Sequence, residues 1–450
     1  MRILRKRYNP IRLKRVLPQK SNAFFICRVA APMREIAYSS FANSFHVVIK
    51  LRFPGQNLLC IPSTGQAMKS SSLVLVLSGI VWATLAEFSI GASQPASSAS
   101  VKWHPGHYIL ANKIDENCIL EHFRGVQKMY TWKSMEPELG KYDFSGVKKD
   151  LAFLKKHDKR LVIQIQYKAF GKGAISVPAY LKGPEYGGGI YRANSGSFDP
   201  VIWNDKVGER MDSLFKALGR EFDRDPNIEA MVLPETSPSA NLAKSPQEGV
   251  DAFSNEIYGK ALRQHMLSLR KSFPHTAVIQ YANFPQNMLE ELTSYMKQIG
   301  VGLGGPDVYP RESELMNPER GVYRLYAPLS GVVPLGSAVQ SPDYSVASWV
   351  RTAAFNKGQD RNSVKVDPKD EEAIPVREHL RLAQEKLHLN YMFWSQNPTH
   401  YFDNVKVLLA EPDLANDPAG GLDARCPSNA FLDEIASRPV AAEAPDNVAK

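Results

Sequence analysis

At 450 residues, 44% hydrophobic and 22% charged, the chain has the composition of a globular protein and the length for one large core. Its formal charge of +9 belongs to the N-terminus: residues 1–67 hold 12 Lys/Arg and one acid, Glu35, a local +11, so the remainder carries 9 − 11 = −2. A body so close to neutral lacks the electrostatic footprint of a nucleic-acid binder, and no nucleic-acid partner is expected.

In chain order, the basic leader 1–67 reads as lying upstream of the true start, because an export signal begins only at Met68. There Lys69 gives a cationic start, residues 73–86 an apolar core, and Gly91, Ala92 and Ser93 a small-residue cleavage site. Residues 68–93 are therefore expected to act as a secretory signal peptide, placing the protein outside the cell or in the periplasm. Ser78, Thr84 and Glu87 interrupt the apolar run before the roughly 20 residues a span needs, so no membrane span is expected in the mature chain. The Arg-rich, acid-poor leader leaves organelle targeting as the alternative.

From residue 97 to 438 short apolar runs alternate with longer amphipathic ones. Candidate strands are "HYILAN" from His107, "GVQKMYTW" from Gly125, "RLVIQIQY" from Arg160, "IEAMVL" from Ile228, "TAVIQYANF" from Thr276, "VGLGGPDVY" from Val301, "VPLGSAVQ" from Val333 and "LHLNYMFW" from Leu387. Between them, segments such as "FSGVKKDLAFLKKH" place Val147, Leu151 and Leu154 on one helical face and lysines on the other. Eight strands with mostly helical connections predict an α/β fold, a single (β/α)8 TIM barrel, whose functional groups sit at the C-terminal strand ends. Residues 439–450, rich in Ala, Pro and Glu, read as a disordered tail.

Outside the leader only Cys118 and Cys426 remain, so one bridge or two thiols are both open. No Cys or His spacing makes a zinc site, and "GVGLGG" at 300–305 fits no dinucleotide fingerprint, reading instead as close backbone packing. No metal and no cofactor are expected.

The stretch "IEAMVLPETS" ends an apolar run with Glu235, at the tip of the fourth strand, where a barrel presents catalytic groups. The segment "YTWKSMEPELGKYDFSGVKKDLAFLKKHDKRLVIQI", 130–165, resembles the stretch after the second strand of clan A glycoside hydrolases, with its Trp, its "EPxxGxYdF" turn, a helix and a third strand. That resemblance implies a carbohydrate substrate and makes Glu235 the general acid/base. It also implies that Tyr309 of "PDVYP" stands beside the nucleophile and that Trp394 of "FWSQN" floors the sugar subsite. Clan members carry Asn before the glutamate; this chain has Pro234.

A retaining enzyme of this kind needs a second carboxylate on the seventh strand, yet that tip reads Gln340. The remaining carboxylate candidates are Asp343, three residues on, and Asp307. Trp132, Gln166, Tyr309, Gln340, Trp394 and Gln396 are the expected sugar-binding residues, with Trp203 and Trp349 set aside as core or helix-start aromatics. Two functions remain in view: a secreted glycoside hydrolase acting on an oligo- or polysaccharide, and a non-catalytic carbohydrate-binding barrel. A carboxylate opposite Glu235 across the groove discriminates between them.

Overall fold

The computed structural model describes residues 102–431 and, separately, four short strands within residues 1–97. Those four, Phe25–Cys27, Ile36–Phe41, Ser44–Leu51 and Leu59–Ile61, pair antiparallel in chain order. The rest of the basic leader, the segment 68–93 expected to be an export signal and the tail 439–450 lie outside the described residues.

The larger unit is a closed barrel of eight parallel strands: β1 (Gly106–Leu110), β2 (Gly125–Thr131), β3 (Arg160–Gln166), β4 (Ile228–Leu233), β5 (Ala277–Tyr281), β6 (Gly302–Gly305), β7 (Leu335–Val339) and β8 (Tyr391–Ser395). Helices α1 (Ser145–Lys156), α2 (Asp205–Phe222), α3 (Asn255–Ser272), α4 (Leu289–Ile299), α5 (Val346–Asn356), α6 (Val376–Glu385) and α7 (Thr399–Leu409) connect or follow them. Their starts are encoded locally: Asn204 accepts the Val207 N–H at 3.1 Å, and Ser254 accepts that of Ile257 at 3.2 Å. The connections after β1 and β6 differ from the expectation, carrying only short helical turns such as Glu116–Cys118 and Ser313–Met316.

Strand alternation divides the core. Tyr108, Val162, Ala230, Val232, Ile279, Tyr281, Tyr391 and Phe393 fill the barrel interior. Their strand neighbours Ile109, Leu161, Ile163, Met231, Met392 and Trp394 pack outward under the helices. The glycines of β6 are there for contact: a Cβ on Gly302 would lie 2.3 Å from the Pro334 oxygen and one on Gly304 2.2 Å from that of Gly336. Strand β8 begins four residues later than expected, because His388 takes a left-handed φ of 47° and breaks extended pairing ahead of Tyr391.

Candidate active site

Four polar side chains occupy the same position relative to their strands. Lys168, Glu235, Asn283 and Asp307 each stand two residues beyond the last residue of β3, β4, β5 and β6. Asp343 follows β7 on the turn Ser341–Tyr344. Closure of the sheet gathers these tips into one mouth.

Glu235 is half-buried, and Asn283 Nδ2 donates to its Oε2 at 2.7 Å. Its loop is pinned on both sides: Gln280 Nε2 donates to the Pro234 oxygen at 2.6 Å, and Tyr258 donates to the Thr236 oxygen at 3.0 Å. Asp307 is partly buried in the same polar cluster. Burial, reinforced by the negative charge of Glu235, pushes its carboxyl up to about 8. Asp343 is fully buried, and its Oδ2 accepts the Gln340 N–H at 2.8 Å. Burial and the neighbouring Asp307 raise Asp343 far above the carboxylate range, and the two carboxyls are close enough to share a proton.

On the other flank Lys168, 3% exposed, donates its ammonium to the Ser237 oxygen. Burial pulls this lysine down, opposed by the charges of Glu235 and Asp199. Asp199 is buried as well, and its Oδ1 accepts the Ala169 N–H at 2.8 Å. Sequence reasoning missed Lys168 and Asp199; the available signal was a lysine placed straight after the apolar third strand.

The expected sugar-binding residues divide. Gln166 lines the barrel interior at the mouth, donating to the Lys168 oxygen at 2.8 Å. Gln340 caps β7, and Gln396, on the loop after β8, turns to the Asn117 oxygen at 3.4 Å. Tyr309 is buried beside Asp343, its ring stacked on Trp349 with centroids 4.4 Å apart and an interplanar angle of 18°. Trp349, set aside in the sequence, is half-buried and held by a 2.5 Å bond to Glu312.

Trp132 and Trp394 are corrections. Both are fully buried in the layer between strands and helices. Trp132 donates to Glu136 at 2.9 Å; the same carboxylate accepts the Gly140 N–H at 2.9 Å and the Arg210 guanidinium, so the "EPELG" motif is a structural lock. Trp394 alternates out of the barrel while Phe393 points in, and it donates to His107 Nδ1 at 3.0 Å. Burial holds His107 down to about 4, keeping it a neutral acceptor there while its Nε2 donates to the Gly420 oxygen at 2.9 Å.

Among the described residues no group of three or more His, Cys, Asp or Glu is arranged to hold a metal, and no helix is long and apolar enough to cross a membrane. Buried Cys118 and exposed Cys426 are not joined in a disulfide.

No protein-family model and no curated protein matches this chain. Among solved structures it is similar to a psychrophilic glycoside hydrolase family 10 endo-β-1,4-xylanase, at 13% identity over 66% of this chain and 87% of that one, with a TM-score of 0.38. It is also similar to the GH5_18 protein of Bifidobacterium longum subsp. longum, at 11% identity over 65% and 69%, TM-score 0.38. A third, the β-galactosidase of Rahnella sp. R3, gives 8% identity over 65% of this chain and 50% of that one, TM-score 0.42.

Proposed function

We propose that the barrel hydrolyses glycosidic bonds in an oligo- or polysaccharide, with Glu235 and Asp307 as the working pair. The observation that carries this reading is the placement of the two carboxyls at the barrel mouth, each two residues past its strand, β4 and β6, with Asp307 held up to about 8 by burial and the charge of Glu235. A buried acid that keeps its proton is suited to donate it, and a second carboxyl beside it is free for the opposite task. Asp307, protonated at neutral pH, donates to the departing glycosidic oxygen. Glu235, oriented by Asn283, faces the positive charge that develops at the anomeric carbon and takes a proton from the water that bonds to that carbon as the glycosidic bond breaks. Asp343 acts through Asp307 as a positioning residue, sharing its proton.

This division departs from the clan A resemblance, which gives proton transfer to Glu235; the physical reason is that burial and a like charge favour the proton on Asp307. It also removes the motive for a binding-only barrel, since Gln340 at the β7 tip no longer leaves Glu235 without a partner. Export through residues 68–93 is part of the proposal, supported by the charge, apolar core and small-residue pattern of that segment.

The test is a panel of unactivated oligosaccharide glycosides assayed with the purified protein, Glu235→Gln and Asp307→Asn. Either substitution lowers kcat/KM by about 10² to 10⁴-fold. In the parent enzyme kcat falls as pH rises through about 8, where Asp307 loses its proton. Parent-like rates in both variants, or no hydrolysis of any glycoside, refute the assignment.

A further inference from the structure

The connections after β3 and β7 meet across the mouth of the barrel. In the closed strand order these two strands are four places apart in either direction, and so diametrically opposite. The β3 connection folds into a two-layer flap. Its hairpin, Ile190–Arg192 with Phe198–Pro200, is lined by residues 169–175 through Gly173 N to Gly196 O and Phe198 N to Ala174 O, each 2.9 Å. Asp199 and Ser197 bind the Ala169 backbone from the same layer at 2.8 and 2.5 Å. The hairpin tip is tied to the β4 loop by Asn194 N to Ser239 O at 2.9 Å.

From the far side the β7 connection runs through α5 to meet this tip. A Cβ on Gly358 would lie 3.0 Å from the Asn194 oxygen, and one on Gly171 would touch the Phe355 ring at 4.0 Å. Arg361 holds Phe355 from another direction, its guanidinium 4.2 Å from the ring centroid. Both glycines have positive φ, +83° and +99°, so a larger residue at either would be strained as well as crowded. The β7 connection packs on the β6 tip through Trp349 on Tyr309 and Glu312, and the flap is tied to the β4 loop, so the two loops form a strap on the β4–β6 side of the mouth. Glu235, Asn283 and Asp307 follow β4, β5 and β6, the strands on the strap's side; the ends of β8, β1 and β2 lie away from it.

We propose that the strap makes the site blind, so that the protein works on the end of a saccharide chain and not on bonds within it. This rests on the reading of Glu235 and Asp307 as a glycoside-cleaving pair. An internal bond can be attacked only where the chain runs freely past the site on both sides. Here a chain that runs from the ends of β8, β1 and β2 past Glu235 and outward over β4–β6 meets the Asn194–Gly358 contact. A chain end enters from the side of β8, β1 and β2 without crossing it. Phe170, 51% exposed on the flap beside Gly171, offers an apolar ring at the rim for the sugars that trail outside.

The experiment compares gluco-, manno-, xylo- and galacto-tetrasaccharides with their polymers of ~100 residues. Hydrolysis by the parent is followed as reducing ends and viscosity, and binding by calorimetry in Glu235→Gln. An end-directed site releases terminal sugar with little loss of viscosity. In the inactive variant it binds the polymer about 25-fold more weakly per sugar residue, in proportion to the number of ends. Replacing residues 193–197 by an Asn-Gly turn removes the crossing and brings that ratio toward one. Rapid viscosity loss, or equal binding per sugar residue in the parent strap, overturns the inference while leaving hydrolysis intact. End-proportional binding without hydrolysis keeps the strap and removes the enzymatic reading; absence of binding to any of these saccharides removes both. A trimmed protein that folds and keeps the 25-fold ratio also overturns it, and should the trimmed protein not fold, the parent measurement decides.

Discussion

Asp307→Asn is expected to stabilise the protein at neutral pH while abolishing catalysis. In the folded state the carboxyl titrates at about 8, against an ordinary value of 3.8. A group raised on folding contributes its full stability below the unfolded value and loses it as pH climbs toward the folded one. From pH 3.8 to 7 the unfolded chain ionises while the native one keeps its proton, so native stability falls by about 1.4 kcal/mol per pH unit, an upper limit of ~4 kcal/mol. Partial exposure and relaxation around a coupled pair reduce this to ~2 kcal/mol. Asparagine cannot ionise and escapes the loss. Urea unfolding of parent and variant at pH 4 and pH 7 measures it: the two proteins agree within ~0.5 kcal/mol at pH 4, and the variant gains ~2 kcal/mol by pH 7. A variant less stable at pH 7, or a gap independent of pH, would show that burial and the charge of Glu235 do not act on Asp307 as argued.

Arg210→Ala leaves Glu136 buried with its charge unopposed and costs about 3 kcal/mol in the same unfolding assay; a loss under 1 kcal/mol would mean that Trp132 and the Gly140 N–H suffice to hold the "EPELG" turn. Trp349→Ala raises KM about tenfold by unstacking Tyr309 at the mouth, whereas Trp394→Ala lowers stability by about 3–5 kcal/mol with KM within twofold. The reverse pattern would return Trp394 to the sugar subsite. Gln340→Glu, which adds a carboxylate at the β7 tip, brings no increase in kcat on the glycoside panel if Asp307 and Glu235 are the working pair, as proposed. A tenfold gain would identify a retaining site that has lost its nucleophile.

The barrel was legible because periodicity survives translation into structure: the eight apolar runs became eight strands, and "GVGLGG" packs backbone to backbone as its composition implies. Glu235 was legible for a related reason, a charged residue two places past an apolar strand, and the same offset holds for Lys168, Asn283 and Asp307. Trp132 and Trp394 failed where the resemblance supplied a role but alternation supplied the direction. With Phe393 inside, Trp394 has to point out. The strap was not legible, since contacts between Gly358 and Asn194 join segments separated by over 160 residues and leave no local pattern.

Buried acids stand at both ends of this barrel, and their satisfaction differs. At the N-terminal end Glu229 is fully buried, yet its Oε1 accepts the His104 N–H at 2.6 Å and the Tyr391 hydroxyl at 2.8 Å, and its Oε2 meets His104 Nδ1 at 2.9 Å. Burial pushes Glu229 up, and these bonds more than offset it, holding the carboxyl below its ordinary range. At the C-terminal end Asp343 and Asp199 are buried with fewer strong bonds, and both acids are driven upward by burial, Asp343 also by the neighbouring Asp307. Folding alone would favour donors there, as it evidently does around Glu229. Acids left short of donors lie in the layer of strand tips that holds Glu235, beside a lysine that burial weakens. This contrast between Glu229 and the acids of the strand-tip layer supports the proposal that the chemistry lies at the C-terminal end, where an incoming hydroxyl or glycosidic oxygen would share the proton held there.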